Sequence, residues 1–170
     1  MKKYVFLSLC LVCTWIVRAQ NDNSDIVKVG QAMPPFTIVS DNGAQMSSAE
    51  LKGKVVLITF FATWCPPCQK ELPEIEKQIW EKYKDHSDFR LLVIGREHND
   101  SELAKYNAKK GFAFPLYPDK NRKIFNAFAY NLIPRNYLVG KDGKVMYVSK
   151  GYTPEEFAEL QQKLAQALKN

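Results

Sequence analysis

The sequence predicts a three-layer α/β domain, in which helices cover both faces of a mixed central sheet. Two continuous apolar segments, residues 55–61 and 89–94, are typical of strands that are buried on both faces. A helical pattern lies between them. Near the C-terminus, Lys141-Asp142-Gly143 separates two more strand patterns and indicates an antiparallel hairpin. This order of strands and helices predicts a mixed sheet.

The first half of the domain is expected to contain a short strand, a brief helical turn, the first buried strand and a long helix. The short strand covers residues 36–39, and Ser47 with Glu50 can form a capping box for the turn. A helix over 66–84 follows the buried strand, and Pro73 inside it should produce a kink. Its apolar stripe comprises Leu72, Ile75, Ile79 and Tyr83.

The second half is expected to contain three helices and three strands beyond the second buried strand. Asp100 or Ser101 caps a helix that ends at Lys110, and Gly111 stops it. A strand over 114–117, a helix over 121–130 and the two hairpin strands over 135–139 and 144–148 follow. A final helix has Thr153 as its cap and Pro154 as its first residue. Its apolar face comprises Phe157, Leu160, Leu164 and Leu168.

The chain between Ile94 and Pro134 is longer than a simple connection requires. It contains 39 residues, whereas a crossover with one helix needs about a dozen. We therefore expect an inserted helix–strand element between Ile94 and Pro134.

Residues 1–19 have the pattern of a secretory signal peptide. Lys2 and Lys3 precede an apolar run over 4–17, and Ala19 provides a small residue for cleavage. The run is shorter than the roughly 20 residues of a membrane-spanning helix. An uncleaved anchor is the alternative, because Arg18 makes the cleavage site a poor one. Residues 20–28 are expected to form a flexible leader, and residues 29–170 the folded domain.

Cleavage after residue 19 would change both the charge and the cysteine content. The whole chain has 24 basic and 18 acidic residues, a net charge of +6. The signal contains three of the basic residues and no acidic residue, so the remainder has a net charge of +3. With no basic cluster interleaved with aromatic residues, this excess does not indicate nucleic-acid binding. Cys10 and Cys13 would be removed, leaving Cys65 and Cys68.

These two cysteines form the motif that carries chemistry, Trp64-Cys65-Pro66-Pro67-Cys68. Cysteines three residues apart at the start of a helix lie within disulfide reach. Cys65, ahead of the first turn, is expected to be accessible, and the helix dipole favours its thiolate. Cys68 should be more deeply buried. This asymmetry suits thiol–disulfide exchange, with Cys65 as nucleophile and Cys68 as resolving thiol.

Other uses of a cysteine pair fit the sequence less well. A structural zinc site needs four ligands, and His86 and His98 lie far along the chain from the pair, so no metal site is predicted. Covalent haem attachment needs a histidine where Gln69 stands. A purely structural disulfide remains an alternative, although so small a loop gives little entropic stabilisation.

The chain resembles the thioredoxin fold and, more narrowly, the TlpA/ResA-like extracytoplasmic thiol–disulfide oxidoreductases. The resemblance rests on residues 55–61 leading into the Trp-Cys-Pro-Pro-Cys motif, on Ile133-Pro134, on the 141–143 hairpin and on the exported N-terminus. It implies a thioredoxin-like fold over most of the domain, with the insertion described above. It also implies that Pro134 is a cis-proline beside the dithiol and that the Ile133 backbone pairs with an extended substrate. An ordinary strand-edge proline is the alternative for Pro134.

Thr59 stands where thioredoxins carry a buried aspartate, six residues before the first cysteine. Glu71, three residues beyond Cys68, lies on the same side of the helix and can replace that base. The resemblance implies the same role, because the ResA-like group has a glutamate at the matching position. We therefore predict that Glu71 exchanges a proton with the Cys68 thiol. A solvated helix glutamate is the alternative.

Further residues are expected to tune the site or border it. Pro66 and Pro67 have no backbone N–H to donate to a Cys65 thiolate, which favours a reductant or at most a weak oxidant. Trp64 is expected to shield the dithiol and contact substrates. Arg135 and Asn136 follow the expected cis-proline, where relatives usually have small hydroxyl residues. For Arg135 we predict a solvated edge residue in preference to a charge that selects acidic partners. His98, in the loop after Ile94, is expected near the edge of the sheet, and the sequence leaves open whether it has a role in the site or is a plain surface residue.

Together these features predict an exported enzyme that reduces protein disulfides without a bound cofactor. No Gly-x-Gly-x-x-Gly motif is present, so electrons are expected from a membrane thiol-transfer partner. The resemblance suggests apocytochrome c or other secreted proteins as substrates. A thiol-dependent peroxidase is the first alternative, although Thr63 stands one position from where peroxiredoxin sites place a threonine. A non-catalytic peptide-binding module with this fold is the second.

Overall fold

The computed structural model describes residues 24–169, in which a five-stranded mixed sheet is the central layer. The predicted signal segment, residues 1–19, lies outside the described residues. The strands are β1 (Thr37–Val39), β2 (Gln45–Ser47), β3 (Val55–Phe61), β4 (Phe89–Arg96), β5 (Leu116–Asp119), β6 (Arg135–Val139) and β7 (Val145–Lys150). The helices are α1 (Pro66–Ile75), α2 (Glu81–Tyr83), α3 (Asp100–Lys110), α4 (Lys123–Phe128) and α5 (Pro154–Ala167).

The central sheet has the strand order β5-β4-β3-β6-β7, which places β3 in the middle. Strand β3 runs parallel to β4 and antiparallel to β6, while β5 runs parallel to β4 and β7 antiparallel to β6. The predicted mixed sheet and the insertion are therefore confirmed, because α3, β5 and α4 all lie between β4 and β6.

Alternate residues of β3 face two separate cores. Leu57 and Phe61 belong to a cluster with α1, α3 and α5, whereas Ile58 and Phe60 belong to one with α4 and β1. All seven residues of β3 are buried, which is the arrangement of a strand covered on both faces. Burial on both faces explains why a continuous apolar sequence, rather than an alternating one, predicted this strand.

The long helix departs from α-helical geometry beyond its internal proline. Helix α1 continues through Pro73, and a π-helical turn, Glu76–Trp80, connects it to α2. The Glu76 N–H reaches the carbonyl groups of both Leu72 and Pro73. The irregularity therefore begins three residues after the proline that predicted a kink.

Two helix starts differ from the prediction because other side chains provide the caps. Asn99, not Asp100 or Ser101, caps α3: its Oδ1 accepts the Glu102 N–H at 2.9 Å. Helix α4 begins at Lys123, two residues later than predicted. Asp119, at the end of β5, accepts the Phe125 N–H at 2.8 Å and so caps α4 from the neighbouring strand.

Residues 24–28, the described part of the predicted leader, lie against the domain. Both Ile26 and Val27 donate their N–H groups to the Phe128 carbonyl at 3.0 Å, and Val27 is 6% exposed. Ser24 is also buried. Within residues 24–169, no helix is long and apolar enough to cross a membrane.

Arg135 is completely buried, so the prediction of a solvated edge residue is wrong. Its guanidinium forms an ion pair with Asp25 and donates to Ser24 Oγ at 3.0 Å and to the Asn131 carbonyl at 2.8 Å. The N-terminal segment supplies the carboxylate that makes this burial possible. This partner was hidden from the sequence because Asp25 and Arg135 are 110 positions apart.

Candidate active site

Cys65 and Cys68 form a disulfide at the N-terminus of α1, with an S–S distance of 2.07 Å. Cys65 is the N-cap residue, and its Sγ accepts the Cys68 N–H at 3.3 Å. Pro66 and Pro67 occupy the intervening positions and have no N–H to offer. The Cys68 amide is therefore the nearest backbone donor within the motif.

Both cysteines are buried in this oxidised state. Cys65 is 3% exposed and Cys68 is fully buried, so the prediction of an accessible Cys65 is wrong for the disulfide form. The loop before β6 covers the sulfur, because the Ile133 carbonyl oxygen lies 3.7 Å from Cys65 Sγ. The predicted difference in depth is present, but small.

The Ile133–Pro134 peptide bond is cis. Strand β6 begins at the next residue, Arg135, which pairs with Phe60 near the C-terminal end of β3. The chain leaves this end of β3 to enter the disulfide motif, so the loop that contains the cis-proline lies beside the motif. The structure thus brings Ile133 and Pro134 to the dithiol, where the sequence predicted them.

Glu71 is buried beneath the motif, one helical turn beyond Cys68. Its side chain is 2% exposed, and its Oε1 accepts a hydrogen bond from Asn136 Nδ2 at 2.6 Å. The pKa of Glu71 is raised to about 7, chiefly by burial; the Asn136 hydrogen bond acts in the opposite direction, and the charge of Glu156 adds to the rise. The alternative of a solvated helix glutamate is therefore excluded. A carboxyl group that titrates near neutrality can both accept and return a proton.

The family assignment follows from comparison of the whole domain with known proteins. A family model described as Redoxin matches residues 28–164. This chain belongs to the redoxin family. The match covers the disulfide motif, the insertion and the cis-proline.

Relatives of this redoxin include several proteins named thiol-disulfide oxidoreductase ResA. The one from Bacillus anthracis is 30% identical over 120 residues, which cover 71% of this chain and 68% of that protein. The one from Bacillus subtilis (strain 168) is 28% identical over 149 residues, covering 86% and 81%. The resemblance to the ResA-like group is confirmed, and the redoxin is a thiol–disulfide oxidoreductase.

Solved structures agree on the fold. A Bacteroides thetaiotaomicron protein solved in solution is 38% identical, with a TM-score of 0.81 over 86% of this chain and 94% of that one. A thiol:disulfide interchange protein of the thioredoxin family from Chlorobium tepidum is 26% identical, with a TM-score of 0.67 over 84% and 98%. The thioredoxin-like fold of the redoxin is therefore established.

Sequence reasoning missed a row of buried polar side chains across the sheet of this redoxin. Thr59 Oγ1 donates to Asn136 Oδ1 at 2.7 Å, and Asn136 Nδ2 donates to Ser149 Oγ at 3.0 Å as well as to Glu71. The strand register pairs these three sheet residues directly. Thr59 is the one polar residue in an otherwise apolar strand. A buried hydroxyl needs a hydrogen-bond partner, so this residue could have indicated a polar side chain on a neighbouring strand.

His98, whose role the sequence left open, is buried and supports the turn that leads into the motif. It is 7% exposed, and its Nε2 accepts the Thr63 N–H at 3.0 Å. An accepting Nε2 carries no proton, which assigns the neutral ring to the tautomer with its proton on Nδ1. His98 thereby fixes the backbone two residues before Cys65.

Trp64 is 57% exposed beside the disulfide. The guanidinium of Arg96, at the end of β4, lies 5.4 Å from the centroid of its ring, within cation–π range. Tyr130 and Leu132 are also exposed, and Leu132 directly precedes the cis-proline loop. Trp64 and Leu132 are thus exposed apolar side chains that directly precede Cys65 and Ile133 in the chain.

Proposed function

We propose that this redoxin is an exported protein-disulfide reductase in which Cys65 is the nucleophile and Cys68 the resolving thiol. The observation that carries the proposal is the position of the disulfide between the cis-proline loop and a buried carboxyl group. Cys65 faces the loop that a substrate would approach, whereas Cys68 lies on the Glu71 side. One sulfur is placed for attack and the other for a proton-coupled second step.

In the first step the Cys65 thiolate attacks a substrate disulfide, forming a mixed disulfide and releasing one substrate thiolate. Glu71 then accepts the proton of the Cys68 thiol. The Cys68 sulfur attacks Cys65 Sγ, and the second substrate thiolate leaves. Two electrons pass to the substrate and the Cys65–Cys68 disulfide forms. The dithiol is itself the redox group, so the proposal includes no cofactor.

The partners and location in this proposal follow from the N-terminal pattern and the family resemblance. Residues 1–19 would direct the protein out of the cytoplasm, to the periplasm or beyond, as a cleaved signal or as a tether. A membrane thiol-transfer protein would return the electrons. Apocytochrome c is one substrate that the resemblance suggests, which would place the enzyme in cytochrome c biogenesis.

Cys68→Ser tests the proposal by stopping the reaction at the mixed disulfide. We expect this variant to accumulate proteins linked through Cys65 in oxidising extracts, whereas Cys65→Ser should trap few, because Cys65 is the N-cap residue beside the Ile133 carbonyl and Cys68 lies inside the first turn of α1. Non-reducing gels followed by mass spectrometry measure both. Purified wild-type protein should also reduce insulin.

Other outcomes favour the alternatives. Dithiol-dependent consumption of hydroperoxide without insulin reduction would indicate the peroxidase. Absence of any cysteine-dependent turnover would indicate the binding module.

Pro67→Ala is expected to make the dithiol more oxidising by about 30 mV, because it adds an N–H at the second helical position, where a donor can reach the N-cap Sγ of Cys65. The wild-type potential should lie nearer the thioredoxin value of about −270 mV than the strong-oxidant value of about −120 mV. Equilibration with glutathione or dithiothreitol measures both potentials.

Pro66→Ala is the matched control. It adds an N–H at the first helical position, which is not one of the positions that bond an N-cap side chain. A smaller change in potential is expected, and equal changes in the two variants would contradict the hydrogen-bond explanation.

A further inference from the structure

The carboxyl group of Glu71 is held through one of its two oxygens. Oε1 accepts from Asn136 Nδ2, whereas Oε2 is buried and has no hydrogen-bond partner within residues 24–169. An amide NH₂ group is a donor only, so the oxygen that it contacts must act as an acceptor. When Glu71 is protonated, its proton therefore belongs on Oε2.

The Asn136 amide is held in this orientation from both ends. Thr59 donates to its Oδ1, and a hydroxyl that donates there specifies the carbonyl end of the amide. The NH₂ end then faces both Glu71 and Ser149. Turning the amide over would place its oxygen against Glu71 Oε1, so the ionised carboxylate would face an acceptor and lose its hydrogen bond from Asn136.

We propose that Asn136 is a positioning residue for Glu71, and that its amide, oriented by Thr59, confines the exchangeable proton of that carboxyl group to Oε2. The inference rests on the proposed role of Glu71 in proton exchange with Cys68. Among the described residues, Asn136 hydrogen-bonds Thr59, Glu71 and Ser149 and neither cysteine sulfur. It therefore acts on the dithiol through the Glu71 carboxyl group.

The proton and the electrons balance through both half-reactions. When the dithiol reduces a substrate, Oε2 of ionised Glu71 takes the Cys68 proton and the disulfide forms. When a reducing dithiol partner reopens that disulfide, the partner is oxidised to a disulfide and Cys68 leaves as a thiolate. The Oε2–H of Glu71 then returns the proton to Cys68.

The surroundings of Glu71 make Asn136 the contact that favours its ionised form. Burial and the negative charge of Glu156, in the first turn of α5, both raise the pKa of Glu71, and the Asn136 hydrogen bond lowers it. Burial raises the pKa of the Tyr152 phenol, and the nearby charges of Glu74 and Glu71 raise it further. With Cys68, these groups form the titratable environment of the carboxyl group.

The test is a titration of the Glu71 carboxyl carbon by ¹³C NMR in the oxidised full chain, with the resonance assigned by its absence in Glu71→Gln. Asn136→Ala is expected to raise the midpoint by about one pH unit, because the ionised form loses its donor. Thr59→Val keeps the side-chain shape and removes the hydroxyl that bonds Asn136 Oδ1. It should raise the midpoint by less, and Thr59→Ser should restore the wild-type value.

Ser149→Ala is the control, because it removes another partner of Asn136 while leaving the Thr59 and Glu71 bonds in place, and its midpoint should match the wild type. Unchanged midpoints in Asn136→Ala and Thr59→Val would overturn the proposal. If Asn136→Ala does not fold, the Thr59 pair decides alone. Because the titration requires no turnover, a protein that lacks reductase activity would refute the proposed function while the midpoints still decide the role of Asn136.

Discussion

Glu71→Gln is expected to slow protein-disulfide reduction about 100-fold above pH 7, because a glutamine cannot accept the Cys68 proton. In the wild type, the pKa of Glu71 is about 7, so the carboxylate that accepts the proton becomes available as the pH rises through neutrality. Glutamine has nearly the shape of the protonated acid and still offers an oxygen to Asn136. Single-turnover rates between pH 5 and about 9 would show whether the inflection disappears.

The same substitution should change how stability depends on pH. The folded-state pKa of Glu71, about 7, exceeds the ordinary value of 4.5, so the folded protein binds the proton more tightly than the unfolded chain does. Stability is therefore fully present below pH 4.5 and decreases as the pH rises through 7. The loss amounts to roughly 3 kcal/mol, which Glu71→Gln should abolish in urea unfolding of the oxidised protein.

Glu74→Gln, on the same helix, is the matched control for both measurements. Glu74 is partly exposed and accepts a hydrogen bond from the Gln78 side-chain amide. We therefore expect its substitution to leave the inflection in rate and the dependence of stability on pH in place. A rate profile that Glu71→Gln leaves unchanged would contradict the role of Glu71.

Asp25→Ala is expected to lower the free energy of unfolding by about 3–5 kcal/mol, because it leaves the buried guanidinium of Arg135 without its carboxylate. Asp25 also pairs with Lys150 at 2.6 Å, so one substitution affects two cations. Guanidinium unfolding of the oxidised protein, with and without the substitution, measures the difference.

Two variants distinguish the loss of the buried counterion from the loss of any charged side chain in this cluster. Lys150→Gln removes a partly exposed member of the cluster and should cost less than about 1 kcal/mol. Asp25→Leu combined with Arg135→Met removes both buried charges and should recover much of the loss. If Asp25→Ala costs no more than Lys150→Gln, the ion pair does not stabilise the fold.

The sequence patterns were sufficient to predict the order of the elements because each pattern is local. The apolar run over β3 and the turn residues 141–143 predicted the middle of the sheet and its hairpin. The predicted start of a helix was inaccurate where the capping side chain belongs to another element. Asp119 caps α4 from the end of β5, and no spacing rule within the helix could reveal it.

In the candidate site, too, the residues close together in sequence were predicted and those that meet from distant positions were not. The disulfide motif and Glu71 share one helix, so spacing placed them together. Asn136 joins Glu71 across 65 positions, and His98 joins Thr63 across 35. Arg135 was misjudged for a similar reason, because its burial depends on an aspartate near the other end of the domain. Such charges are predictable only when the tertiary partner is known.

The ion pair of Arg135 also bears on where a domain boundary should be placed. The region of family similarity starts at residue 28, three positions after Asp25. A truncation placed at that point would keep every strand and helix of the central sheet and still remove the counterion of a buried arginine. A domain boundary placed at the start of the family match would therefore omit Asp25, the carboxylate that neutralises the buried guanidinium of Arg135.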